Sequence, residues 1–219
     1  MFLAHFAAGF AAKPLAPRTS LGSFLAAQFI DLLWPTLLAL GIEHVRIEPG
    51  ATRVVPLDFA DYPVSHSLVA VIGWAVLVAL IYRALRRYPR GAWVLGALVI
   101  SHWLLDLVVH RPDLPLYPGS VKLGLGLWSS LPATLALELG LFGGGVWLYL
   151  RASRARDRIG RWALGALIVF LLGIYAANVF GPPPPDAAAI AWAGHAQWLL
   201  VAWAYWIDAH RGALGVQAG

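Results

Sequence analysis

Six stretches of the chain are long and apolar enough to cross a lipid bilayer, and nothing else in the sequence constrains the fold as strongly. They lie near residues 21–41, 64–82, 91–109, 123–150, 160–180 and 187–207. A helix rises 1.5 Å per residue, so crossing a hydrocarbon layer of about 30 Å takes about 20 mostly apolar residues. With no water to satisfy the backbone, a span is either a helix or a strand of a closed barrel. These runs lack the alternation of strands, which predicts helices. Composition agrees: of 219 residues, 60% are hydrophobic and 12% charged, about half the charge of a soluble domain. Disorder, a fibrous repeat and an ordinary cytosolic enzyme are excluded. The absence of cysteine excludes a disulfide framework, a thiolate metal site and a cysteine nucleophile. The expected fold is an all-α, polytopic membrane bundle of about six transmembrane helices, forming one domain over residues 1–219.

Before the first span lies an apolar segment, Met1 to Ala12, too short to cross. Its basic residues, Lys13 and Arg18, follow the apolar stretch, whereas a signal peptide carries them in front. It is therefore read as a retained short helix, re-entrant or interfacial. Pro182 to Pro185 form a rigid connector that ends the fifth span. The net charge of +5 does not indicate nucleic acid, because the basic residues sit in short loops between spans. Twelve of the sixteen Lys and Arg residues fall in segments 13–20, 83–90, 151–161 and the tail, which six alternating spans place on one side. By the positive-inside rule that side is cytoplasmic, and so is the C-terminus.

A charge at the centre of a bilayer costs at least about 2.5–3.5 kcal/mol, so such residues are usually paired and functional. Here they are Asp31 in the first span, His102 and Asp106 in the third, Glu138 in the fourth and His195 in the sixth. His66 opens the second span, and His5 lies in the N-terminal segment. His102 and Asp106 stand four residues apart, on one face of a helix, and His110 continues that face. Imidazole and carboxylate both bind Zn²⁺ at about 2.0–2.2 Å, so the pair suits two ligands of one ion. It equally suits a pair that locks two helices together. His66 follows Pro63 and Ser65, residues that favour a helix start, and would stand at the mouth of a pocket opening away from the cytoplasm. The acidic loop 42–63, with Glu43, His44, Glu48, Asp58 and Asp61, would overhang it.

Asp31 has apolar neighbours and needs a cation, a metal or a proton. Glu138 poses the same question, as a ligand, a partner of a ligating histidine or a general base; Glu138 and Asp61 are the candidate catalytic residues. His195 reads more simply as bonded to Asn178 or Gln197. The sequence has no Gly-x-Ser-x-Gly elbow, no His-Glu-x-x-His helix and no phosphate-cradling glycine loop. In an enzyme of this kind a metal-activated water is the most available nucleophile.

Four segments carry a family resemblance: Ala4-His5-Phe6-Ala7-Ala8-Gly9, Ile30-Asp31-Leu32-Leu33-Trp34-Pro35, Val64-Ser65-His66-Ser67-Leu68 and Ser101-His102-Trp103-Leu104-Leu105-Asp106. In order and content the first half of the chain resembles the bacterial membrane-bound metal-dependent hydrolases, relatives of the inner-membrane protein YdjM. A weaker similarity links it to zinc-dependent phospholipase C-like proteins. The first resemblance implies that His5, Asp31, His66, His102 and Asp106 are metal ligands; Leu33 stands where that family carries a second acidic residue. The expected cofactor is a divalent metal, zinc before manganese or iron. The expected activity is hydrolysis of a lipid or lipid-linked ester or phosphoester from the non-cytoplasmic side of a bacterial inner membrane, with membrane lipids as partners and no nucleic acid. The alternative is a proton- or cation-coupled transporter using the same buried residues. A third reading is a small helical subunit whose polar pairs only specify packing.

Overall fold

The computed structural model describes residues 1–20 and 23–214. The chain is mainly helical. A short helix α1 (Leu3–Ala11) is followed by two more, α2 (Ser23–Ala27) and α3 (Phe29–Ala39). Five long helices follow: α4 (Leu68–Arg86), α5 (Pro89–Val109), α6 (Leu131–Ala152), α7 (Arg158–Phe180) and α8 (Ala187–Ala209). Among the described residues, α4, α5, α6 and α7 are long and apolar enough to cross a membrane. Helix α8 is as long, but Trp192, His195, Gln197, Trp198 and Asp208 make it less apolar.

The helix ends follow local chemistry. Ser67, Asp157 and Asp186 cap α4, α7 and α8 by accepting from the N–H of Ala70, Gly160 and Ala189. Prolines open α5 and α6 at positions where no N–H is needed. The expected span at 123–150 starts later, at Leu131, after a left-handed turn at Gly126 and a close approach at Gly124. A Cβ there would fall on the carbonyls of His110 and Arg111.

The expected span at 21–41 is a broken helix. Gln28, with φ −100° and ψ 3°, separates α2 from α3. Helix α3 is 11 residues long, about 16 Å at 1.5 Å per residue, and does not cross. Pro35 inside it packs against Gly194 of α8.

Helix α1 is inserted into the bundle and lies against α6 and α5. Leu3, Ala4, His5, Phe6, Ala7, Gly9 and Phe10 are buried. The approach to α6 is close because position 145 has no side chain: a Cβ on Gly145 would lie 2.5 Å from the Ala7 carbonyl oxygen. Small residues at such crossings let backbones meet inside a membrane, where hydrophobic association is weak. Phe6, Phe10, Phe24, Phe142 and Tyr149 then pack with Leu164, Leu167 and Leu171 of α7. A second cluster surrounds α5, with Ile30, Val71, Val99, Trp103, Phe59 and Tyr62.

The acidic loop folds into an antiparallel hairpin of β1 (His44–Ile47) and β2 (Leu57–Asp61), with a bulge between His44 and Arg46. Short pairs join β3 (Leu114–Pro115) to β4 (Lys122–Leu123), and β5 (Ser153–Ala155) to β6 (Arg211–Ala213). The last pair clasps the far ends of α7 and α8. Buried Arg211 secures it by donating to the carbonyls of Gly160 and Ser153, at 2.9 and 3.2 Å.

Candidate metal centre

Helix α5 supplies the axis of the site. His102 and Asp106, four residues apart, are both buried and aim at one point. Asp106 Oδ2 lies 3.2 Å from His102 Nε2 and 4.0 Å from His66 Nε2. Asp31 Oδ1, from the first turn of α3, lies 3.6 Å from each of the same two nitrogens. On the other side of Asp106, Oδ1 is 3.1 Å from His5 Nε2 and also meets the Met1 amino group. The His5 ring stacks on that of His102, with centroids 3.5 Å apart and planes 7° apart.

Hydrogen bonds fix which nitrogens face the centre. His102 Nδ1 is 2.8 Å from the carbonyl oxygen of Ala27. A carbonyl only accepts, so Nδ1 carries a proton, and in the neutral ring Nε2 keeps its lone pair. Among the described residues Nε2 has no hydrogen-bond partner. His66 Nδ1 is 2.6 Å from Ser65 Oγ, which donates to Glu43 Oε2 at 2.6 Å. That order puts a proton on Nδ1 and, in the neutral ring, leaves the lone pair on Nε2.

Two imidazoles and two carboxylates thus converge in a buried space, where the carboxylates are offset by the Met1 amino group on Asp106, by a proton on an imidazole or by a bound cation. Four of the six edges joining these donors measure 3.2–4.0 Å. Ligands at about 2.0–2.2 Å from a tetrahedral ion lie about 3.3–3.6 Å apart. Among the described residues the donors fall into two overlapping triads, Asp31–His66–His102 and His5–His102–Asp106, each with its ligand atoms within 4.8 Å of one another, and mixed imidazole and carboxylate donors are of the kind that bind a divalent ion. The Asp31 side chain is 27% exposed and that of Asp106 only 3%, so the centre opens toward Asp31.

Of the residues singled out in the sequence, His5, Asp31, His66, His102 and Asp106 come together here. The insertion of α1 brings His5 in, and the break at Gln28 allows α3 to present Asp31 beside the start of α4. Glu138 is buried but directed elsewhere: its Oε2 accepts from the N–H groups of Phe2 and Leu3, at 3.0 and 2.7 Å. It anchors the N-terminus of α1, where an anion complements the helix dipole. Asp61 ends β2 with its side chain 61% exposed, 3.9 Å from His44, and the hairpin does not bring it among these donors. His195 bonds to Thr36 at 3.1 Å and to the Ala191 carbonyl at 2.8 Å, not to Asn178 or Gln197.

Three neighbours, Asp113, Tyr62 and Glu43, join the site beyond the residues singled out as its donors. His110, at the end of α5, donates from Nδ1 to Asp113 Oδ1 at 2.8 Å, and Tyr62 donates to the same oxygen at 3.0 Å. Burial, then the Asp113 carboxylate, push the Tyr62 phenol well above its ordinary range and keep it a donor. Asp113 follows His110 by three residues, a spacing visible in the sequence. Glu43 gave no such sign, since its partners lie 21 and 22 residues downstream.

No curated protein and no solved structure matches the chain. A family model described as YdjM inner membrane protein matches residues 63–182, more than half of it. The matched part contains His66, His102, Asp106 and Glu138; His5, Asp31 and Glu43 lie outside it. By that match, and with apolar helices that suit a multi-pass membrane protein, the chain belongs to the YdjM inner membrane protein family.

Proposed function

We propose that this protein is a membrane-embedded, metal-dependent hydrolase that cuts a lipid or lipid-linked ester or phosphoester from the non-cytoplasmic side. The observation that carries the reading is the convergence of Asp31, His66, His102 and Asp106, at 3.2–4.0 Å, with Nε2 of both imidazoles facing inward. These four residues would hold zinc, with His5 against the second oxygen of Asp106. A bound zinc ion supplies Lewis acidity and brings the pKa of a water toward 7. The chain's own groups prepare the place for it. Ala27 and Ser65 orient the two imidazoles, Glu138 holds the helix that carries His5, and the apolar surroundings of α5 limit access by bulk water. A site at membrane depth favours a substrate that enters from the lipid.

In this reading α8 and the α2–α3 pair are also inserted, giving six membrane segments with the C-terminus in the cytoplasm. The concentration of Lys and Arg in segments 13–20, 83–90 and 151–161 supports that orientation.

Metal analysis of detergent-purified protein tests the centre, beside a His102→Ala, Asp106→Ala double variant. The expected result is stoichiometric zinc or manganese in the wild type and none in the variant. Added zinc at about 100 times its dissociation constant should stabilise only the wild type, by about 2.7 kcal/mol. No metal in either protein after reconstitution would refute the centre. Turnover of lipid esters in mixed micelles, where no gradient exists, then separates a hydrolase from a cation-coupled transporter.

A further inference from the structure

The geometry points to Glu43 and Ser65 as positioning residues that hold the proton of His66 on Nδ1 and so keep Nε2 free to bind a metal. The inference deepens the metal-centre reading and rests on it for its purpose, though not for its chemistry. Glu43 stands between α3 and β1 and is 1% exposed; Ser65 is fully buried, and His66 is 4% exposed. Glu43 Oε1 accepts from the N–H groups of Val64 and Ser65, at 2.7 and 2.8 Å. Its Oε2 accepts from the Ser65 hydroxyl at 2.6 Å. A hydroxyl has a single proton, and Ser65 spends it on Glu43, so toward His66 Nδ1, 2.6 Å away, Ser65 Oγ can only accept. The imidazole must therefore donate from Nδ1. Trp103 fixes the backbone beneath it by donating from its indole to the His66 carbonyl at 2.9 Å.

Such a relay gives Glu43→Gln an unusual consequence. The amide oxygen is the sole acceptor of glutamine and stays with the two backbone N–H groups. Its NH₂ then faces Ser65 Oγ as a donor. The hydroxyl turns and donates to His66 Nδ1, which moves the imidazole proton to Nε2, where it blocks the ligand position. Ser65→Ala removes the acceptor and leaves the tautomer mixed, whereas Ser65→Thr keeps the hydroxyl and the order of donors.

The test uses the full-length chain in detergent, labelled with ¹⁵N-histidine, with the His66 signals identified by their loss in His66→Gln. In the metal-free protein the ¹⁵N shifts should show Nδ1 protonated and Nε2 bare in the wild type and in Ser65→Thr. Glu43→Gln should reverse the assignment. Zinc affinity, measured by competition with a chromophoric chelator, should fall about 10- to 100-fold in Glu43→Gln and Ser65→Ala, with Ser65→Thr close to the wild type. A His66 that keeps its proton on Nδ1 in Glu43→Gln overturns the inference, even if affinity falls, because a merely structural role would lower affinity without moving the proton. A wild-type chain that binds no metal would sink the metal-centre reading alone, and the tautomer shifts would still decide the relay.

Discussion

Replacing Glu138 distinguishes an anchor from a general base, and the structure sets the size of the effect. Both N–H groups it holds, those of Phe2 and Leu3, go to the same oxygen, Oε2. Hydrogen bonds to a charged group contribute about 1.5–3 kcal/mol each, so Glu138→Ala should favour release of α1 by at least about 3 kcal/mol. At about 1.4 kcal/mol per decade, the population with α1 undocked rises at least about 100-fold. Glu138→Gln can place its single carbonyl oxygen where Oε2 lies and keep both bonds, losing only the assistance of the charge. At the same lower limit its effect should be about 1 kcal/mol, or about fivefold. The chain has no cysteine, so one thiol introduced by Ala7→Cys, at a position 4% exposed, reports the docking of α1 by its maleimide labelling rate. That rate follows the open population when closing is fast. The order expected is Ala far above Gln, and Gln slightly above the parent. Equal labelling in all three proteins would refute the anchor. Gln and Ala that are equally inactive without a change in labelling would restore the base.

Two further substitutions probe neighbouring features. Gly145→Ala puts a Cβ against the Ala7 carbonyl and should destabilise by about 1–3 kcal/mol, while Gly144→Ala meets nothing within 4 Å and should stabilise by about 0.5–1 kcal/mol; thermal unfolding in one detergent compares them. At the start of α7, the Gly160 N–H donates to Asp157 and His210 stands beside it, which holds that carboxyl below its ordinary value. Its contribution is therefore complete above the usual carboxylate range and fades as pH falls through the lowered value. Asp157→Asn, which can still cap the helix, should change little at neutral pH and flatten that acid limb in hydrogen exchange of the Gly160 amide.

The sequence carried the helices and the donors further than it carried their connections. Long apolar runs put α4, α5, α7 and α8 close to where they lie, because a bilayer rewards length and apolarity alone. The same signal missed the break at Gln28, since a broken apolar helix and a continuous one have the same composition. His102 and Asp106 were legible because their relation is local, four residues on one helix. His66, Asp31 and His5 could be named as unusual residues, but their meeting depends on how α1 and α3 dock. Glu138 was legible as buried and not as the partner of Phe2 and Leu3, more than 130 residues away. Glu43 was legible only as one acid, with Glu48, Asp58 and Asp61, of a loop overhanging the pocket, and not as the buried partner of Ser65.

The two imidazoles that flank Asp31 differ in how far heredity can reach them. The acceptor that orients His66 is built from the side chains of Ser65 and Glu43, and a single nucleotide change can delete either. The acceptor that orients His102 is the main-chain carbonyl of Ala27, which every residue at that position would supply. One half of the centre is therefore open to tuning by drift or selection, while the other changes only if the whole of α2 moves. Under the proposed metal centre, descendants of this chain should vary in metal affinity mainly through the His66 side, with the His102 side holding the centre in place while they do.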